Sequence, residues 1–163
     1  MQVKQIMTRD VKSVRPGDNL DGAARILWEN DFGCVPVLDD ASRITGMLTD
    51  RDVCMAAYFQ GRPLREIEVA SAMSRIVFST KPEDTLVAAE KVMQAQKVRR
   101  LPVVDAAGKL AGLLSLNDLA RAAAREKATR GRKELSDAEV SETLAAVSEP
   151  RKAPEKPNIV TAA

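Results

Sequence analysis

Two stretches of the chain set a glycine, a hydroxyl and a carboxylate at one spacing: Gly46-Met47-Leu48-Thr49-Asp50-Arg51-Asp52 and Gly112-Leu113-Leu114-Ser115-Leu116-Asn117-Asp118. A carboxylate at a helix start, three residues after a hydroxyl, can accept both hydroxyls of a ribose in a bidentate manner. The hydroxyl and the first helical amides then face a phosphate, because orphan N–H groups and the helix dipole favour negative charge there. The glycine lets backbone lie close to a bound molecule. The plainer role of the same aspartates is to cap the helix start.

The elements that must position these residues are duplicated. An offset of 66 residues relates the two stretches, and the same offset pairs Val3 with Val69, Met7 with Met73, Pro16 with Pro82, Asp18 with Asp84, Pro36 with Pro102 and Asp39 with Asp105, with no gap. Matches concentrated on Pro, Gly and Asp, which have special backbone roles, mark a repeated structural unit. Each copy opens with a short β segment (Val11–Val14; Val77–Thr80) and a Pro-x-Asp turn, whose Asp18 or Asp84 is expected to cap the next helix. That helix is predicted over Leu20–Asn30 and Leu86–Gln96, with apolar residues at i, i+3 and i+4. Two apolar runs follow, Cys34–Leu38 with Ile44–Leu48 and Leu101–Val104 with Leu110–Leu114, close enough for hairpins whose proline suits an edge. A second helix is predicted over Asp50–Phe59 and Leu116–Arg125. The order is β-α-β-β-α, twice: an α/β chain of α+β type, with unit 1 over 1–60, a linker over 61–68, unit 2 over 69–126 and a charged tail over 127–163. In that tail Ser136-Asp137-Ala138-Glu139 has capping-box spacing, so one helix is expected over 137–148 and disorder after it.

Composition excludes several function classes. Histidine is absent from the 163 residues, which removes His-based triads and His-ligated metals. With 25 basic and 23 acidic residues the formal charge is +2, which argues against nucleic acid as a partner; the basic residues from Arg125 to Lys133 are interleaved with Glu and lack aromatics. No apolar run suits a bilayer, and two cysteines without CxxC spacing point to a reducing cytosol, so a cytoplasmic protein with no membrane partner is expected. Cys34 and Cys54 read as buried thiols, and Trp28 and Tyr58 as packing or dimer-contact residues.

Two tandem units, each with Pro-Val-Val/Leu-Asp followed by Gly-x-x-Thr/Ser-x-x-Asp, resemble the cystathionine-β-synthase (CBS) domain pair over about Met1 to Arg125. The resemblance implies two units packed as a pseudo-twofold pair that leave two related clefts. It also implies association of such pairs into a flat disc, here a homodimer, and clefts that bind adenosine-containing ligands. AMP, ADP or ATP rank first, S-adenosylmethionine and NAD lower, and no cofactor is required. In the second unit Arg99 and Arg100 stand where members of the family often carry a basic residue that reaches a phosphate; the first unit has Gly33 and Cys34 there. The cleft with Ser115, Asp118 and Arg100 therefore ranks first, with the base expected against Asp10, Val11, Phe32 and Gly33. The Thr49 and Asp52 cleft pairs with Ile76, Val77 and Val98. The expected function is a non-enzymatic regulatory module that binds an adenine nucleotide and passes this to an unidentified protein partner. The alternative is a structural dimerisation module with empty clefts.

Overall fold

The computed structural model describes residues 1–128 and 137–149. After a 3-10 turn at Val3–Gln5, the first unit runs α1 (Leu20–Glu29), β1 (Cys34–Leu38), β2 (Ile44–Thr49) and α2 (Asp50–Gln60). A 3-10 turn at Leu64–Glu66 and the short α3 (Val69–Ala72) lead to α4 (Leu86–Gln96), β3 (Arg100–Val104), β4 (Leu110–Ser115) and α5 (Leu116–Ala128). A last helix, α6, covers Asp137–Ser148. The disorder expected from Pro150 onward falls outside the described residues.

Each unit is an antiparallel hairpin backed by two helices. β1 pairs with β2 and β3 with β4 in the same register, each with an irregularity at the last pair. The turns are closed alike: Asp39 Oδ1 accepts from the amides of Ala41 and Arg43, and Asp105 Oδ1 from those of Ala107 and Lys109. Those amide bonds, led by the one from Arg43, hold the Asp39 carboxyl below its ordinary value. The two hairpin tips meet, with Leu110 donating its amide to the Ser42 carbonyl. Behind them the helices bury one stripe each, Leu20, Ala23 and Leu27 on α1 and Leu86, Ala89 and Met93 on α4.

The leading β segment of each unit differs from expectation. Val11–Val14 and Val77–Thr80 contract to one parallel bridge each, Val14 to Val37 and Thr80 to Val103. Val14 donates to Pro36 O and accepts from Leu38 N, and Thr80 does the same with Pro102 and Val104. A ladder extended upstream needs an amide at 36 or 102, and one extended downstream needs an amide at 16 or 82. All four are prolines, so the strand stops at one residue. Asp18 and Asp84 are corrected too. Asn19 and Thr85 cap α1 and α4, accepting from Gly22 N and Ala88 N, while Asp18 accepts from Arg15 N and Asp84 from Lys81 N and Thr80 Oγ1 to close the turn.

The segments that precede the units in sequence are exchanged in space. Val3 and Met7 pack in the second core with Leu86, Leu101 and Leu119, whereas Ile67 and Val69 pack in the first with Leu20, Val35 and Leu48. Burial of residues of this size contributes about 1.5–3 kcal/mol each, so each unit depends on a short helical lead from the other's chain neighbourhood. Thr8 exchanges two backbone hydrogen bonds with Leu113 and Ser74 does the same with Met47. The repeated spacing of the glycines has its reason here: a Cβ on Gly112 would lie 2.8 Å from Thr8 O, and one on Gly46 would lie 2.9 Å from Ser74 O. The glycines make room for the exchanged leads.

Helix α6 seats on α4 and α5 through buried Thr143 and Val147. Gln94 Nε2 donates to Thr143 Oγ1 at 2.9 Å, and Lys97 pairs with Glu149. Beneath it the buried Glu90 leaves Oε1 without a hydrogen-bond partner. Burial, then the charge of Glu139, pushes the Glu90 carboxyl above its ordinary value. The repeat counterparts of Glu90 and Gln94 are Ala24 and Trp28, and on that face the first unit is open: Trp28 is 88% exposed and Tyr58 76%. The Tyr58 ring meets that of Phe59 edge-on, with centroids 5.2 Å apart. Among the described residues no helix is long and apolar enough to cross a membrane.

Candidate functional site

Ser115 ends β4 and begins α5, and that junction fixes its surroundings. Its hydroxyl accepts from Asp118 N at 3.2 Å, while Asp118 Oδ2 accepts from Ser115 N at 2.8 Å and Ser115 Oγ at 2.6 Å. The reciprocal bonds satisfy two groups at the helix start and lock the acid in place. The acid is buried, 7% exposed. Asp118 Oδ1 accepts from Arg121 Nη2, one helical turn further on. Directly across the hairpin from Ser115 stands Arg100, and opposed residues of an antiparallel pair share a face of the sheet.

Arg100 reaches over the first unit. A Cβ built on Gly33 would lie 2.9 Å from Arg100 Nη2, so the guanidinium lies against a backbone bare of side chain. Neighbouring Cys34 is buried, and burial pushes its thiol above the ordinary value; the Arg100 charge opposes this and Asp50 adds to it. A thiol held neutral is a poor nucleophile, in keeping with the structural role expected of Cys34. Cys54 is exposed, which corrects its expected burial.

These groups meet in one cavity of about 220 Å³ between the units. Its walls include Asp10, Val11, Phe32, Gly33 and Cys34 from the first unit, and Arg100, Ser115, Asn117, Asp118 and Arg121 from the second. Thr8, Lys12, Asp31 and Leu113 complete the lining. Seven residues expected at the leading cleft are thus brought together: Asp10, Val11, Phe32, Gly33, Arg100, Ser115 and Asp118. Arg99 is not among them. It is exposed, and its carbonyl accepts from Leu116 N; successive side chains of an extended segment point to opposite faces, so one arginine of the pair turns away when the other turns in. Arg121 went unforeseen although its signal was available, since position i+3 from Asp118 shares a helix face with it. Lys12, Asp31 and Asn117 had no such signal.

The other junction is built alike. Asp52 Oδ2 accepts from Thr49 N at 2.8 Å and Thr49 Oγ1 at 2.6 Å. The Ser74–Met47 pairing runs the chain past it towards Ile76, which is exposed, and Val77, which is half-buried, whereas Val98 packs against the second core. None of these five lines the cavity of the first-ranked cleft. Among the described residues no cluster of three His, Cys, Asp or Glu side chains could hold a metal ion.

Comparison with known proteins agrees with this architecture. The family profile described as CBS domain matches residues 3–58 and again 65–125. The CBS domain-containing protein YhcV of Bacillus subtilis is 36% identical over 118 residues, covering 72% of this chain and 82% of that protein. Longer relatives also match: the chain spans 23% of the homoserine O-acetyltransferase of Methanococcoides burtonii at 30% identity, over 73% of its own length. Among solved structures, the CBS domain protein TA0289 of Thermoplasma acidophilum superposes with a TM-score of 0.72 at 23% identity, over 90% of this chain and 75% of that one. CBSX2 in complex with AMP superposes with a TM-score of 0.68 at 28% identity, over 77% of this chain and 98% of that one.

Proposed function

The chain belongs to the CBS domain family, and on that premise we propose that it is a non-enzymatic regulatory module whose Ser115–Asp118 cavity binds an adenosine-containing nucleotide. The observation that carries the reading is the meeting, in one cavity between the units, of a buried carboxylate, a hydroxyl at a helix start and a crossing arginine. In this reading Asp118 accepts the ribose hydroxyls, Ser115 and the first amides of α5 face the phosphate, and Arg100 supplies its guanidinium fork to the phosphate oxygens. The base lies among Val11, Phe32 and the backbone of Gly33. AMP, which CBSX2 holds in its solved complex, leads the candidates, with ADP and ATP beside it.

A ligand in this cavity touches both units, and it can alter their arrangement only by the difference in its affinity for the alternatives. The output passes to a protein partner through a homodimer, for which the exposed aromatic residues Trp28, Tyr58 and Phe59 of the first unit offer a surface.

The test is a calorimetric titration with AMP, ADP, ATP, NAD and S-adenosylmethionine. Binding of an adenine nucleotide that is lost in Asp118→Ala supports the reading; silence from all five at millimolar concentration removes it. One observation favours a second reading. Ser115–Asp118 and Thr49–Asp52 both already complete helix caps, as a structural module with empty clefts requires, and the same silence would establish that alternative.

A further inference from the structure

Both oxygens of the Asp118 carboxylate are engaged, and by groups of different kinds. Oδ2 takes the amide and hydroxyl of Ser115, bonds that belong to the helix start. Oδ1 takes the guanidinium of Arg121. The acid is held in place and 7% exposed, whereas the arginine side chain is 63% exposed and free to turn about its long stem. Both residues line the cavity. A diol that approaches the carboxylate meets Arg121 at Oδ1 and competes with it there, offering O–H donors without charge in place of a charged guanidinium.

What the ligand offers the displaced guanidinium then decides the balance. A nucleoside offers it no anion, so the lost ion pair counts in full against binding. A nucleotide carries phosphate oxygens into the same cavity, where a second charge-assisted bond replaces the first. We propose that Arg121 is a specificity-determining residue of this site: it neutralises Asp118 before the ligand arrives and turns to the ligand's phosphate afterwards, so that the cavity selects anionic nucleotides against neutral nucleosides. The proposal rests on the nucleotide reading given above and adds to it a residue and a selectivity. It also separates the two junctions, because the repeat counterpart of Arg121 is Met55, which has no charge to exchange at Asp52.

The experiment is a calorimetric titration of adenosine and of AMP into the full chain and into Arg121→Gln and Arg121→Lys. Glutamine is a good helix former, so the helix is retained. Removing a competing charge-assisted bond is expected to tighten adenosine about tenfold in Arg121→Gln, and losing the phosphate partner to weaken AMP by a similar order. Arg121→Lys should recover most of the preference for AMP. The gain for adenosine is the telling sign, since a merely structural role for Arg121 would lower or spare both affinities together. Parallel changes for the two ligands, or none, overturn the proposal and leave the nucleotide reading standing. Failure of both ligands to bind the unaltered chain overturns the role of Arg121 in selecting AMP, and the nucleotide reading falls with it only when ADP, ATP, NAD and S-adenosylmethionine are silent as well.

Discussion

In both units a hydroxyl closes the second strand of the hairpin, begins the next helix and shares a carboxylate three residues on, Thr49 with Asp52 and Ser115 with Asp118. Their surroundings diverge. Position by position, Arg100 answers to Cys34, Arg99 to Gly33, and Arg121 to Met55. Arg100 and Arg121 line the cavity at the second junction, while the first junction keeps Arg51 where the second has Asn117, and Gly33 leaves the space through which Arg100 crosses. Duplication has produced a shared scaffold, and its drift has made one half of the pair supply charge and the other supply room. The helical faces diverge in the same way, since α6 covers α4 and α5 while α1 and α2 present Trp28 and Tyr58 outward.

Paired substitutions test how far the two halves have separated. The largest effect is expected at the carboxylates. Asp118→Ala and Asp52→Ala remove the same capping bonds and should cost similar stability, about 1 kcal/mol each, measured by denaturant unfolding. In AMP binding they should part company: loss of the bidentate acceptor at Asp118 is expected to weaken AMP on the order of 100-fold, with Asp52→Ala near the unaltered value. Equal losses in binding would show that the clefts are equivalent.

Gly112→Ala and Gly46→Ala address the scaffold that the halves share. Each new Cβ meets backbone, Thr8 O or Ser74 O, and backbone cannot step aside as a side-chain end can. Both variants are expected to lose about 1–3 kcal/mol of stability in chemical denaturation. A loss at only one of them would mean that the exchanged leads are not equivalent supports.

At the crossing arginine the expected effect is about tenfold: Arg100→Ala should weaken AMP by this factor and leave adenosine unchanged. Equal penalties for AMP and adenosine would take Arg100 away from the phosphate.

The smallest effect concerns the covered helical face. Glu90 has a raised carboxyl pKa in the folded protein, so the folded state holds its proton more tightly than the unfolded one. Stability from this group is therefore greatest below the ordinary carboxylate range and declines as pH rises through the raised value. Glu90→Gln should remove that slope and gain about 1 kcal/mol at neutral pH, because a neutral amide replaces a carboxylate whose charge is costly to bury. Thermal melts from acid to neutral pH would read it, and a slope unchanged by the substitution would place its origin elsewhere.

How much of this was legible in the sequence depends on the kind of interaction. Hairpins and helices were legible because their apolar periods and their Pro, Gly and Asp punctuation are local. Leu86–Gln96 and Cys34–Leu38 fall where the pattern sets them. Four prolines written in the sequence shorten the leading strands, yet their effect shows only once Val14 and Val37 are known to be neighbours. The exchanged leads were hidden for the same reason: nothing near Gly112 announces that Thr8 will lie against it. At the candidate site, the lining by Asp10, Phe32 and Gly33 came from family resemblance and pseudo-symmetry, since residues so far from Asp118 in sequence carry no local mark of adjacency. Arg121 could have been read from helical spacing alone.

The central claim is that the junction at Ser115 and Asp118, and not its counterpart at Thr49 and Asp52, is furnished to hold an adenine nucleotide. A crystal structure of the protein grown with AMP tests it most directly. The account predicts nucleotide density in the cavity between the units, with ribose at Asp118 and phosphate within hydrogen-bond reach of Arg100. AMP bound only beside Asp52, or ribose density turned away from Asp118, would contradict it.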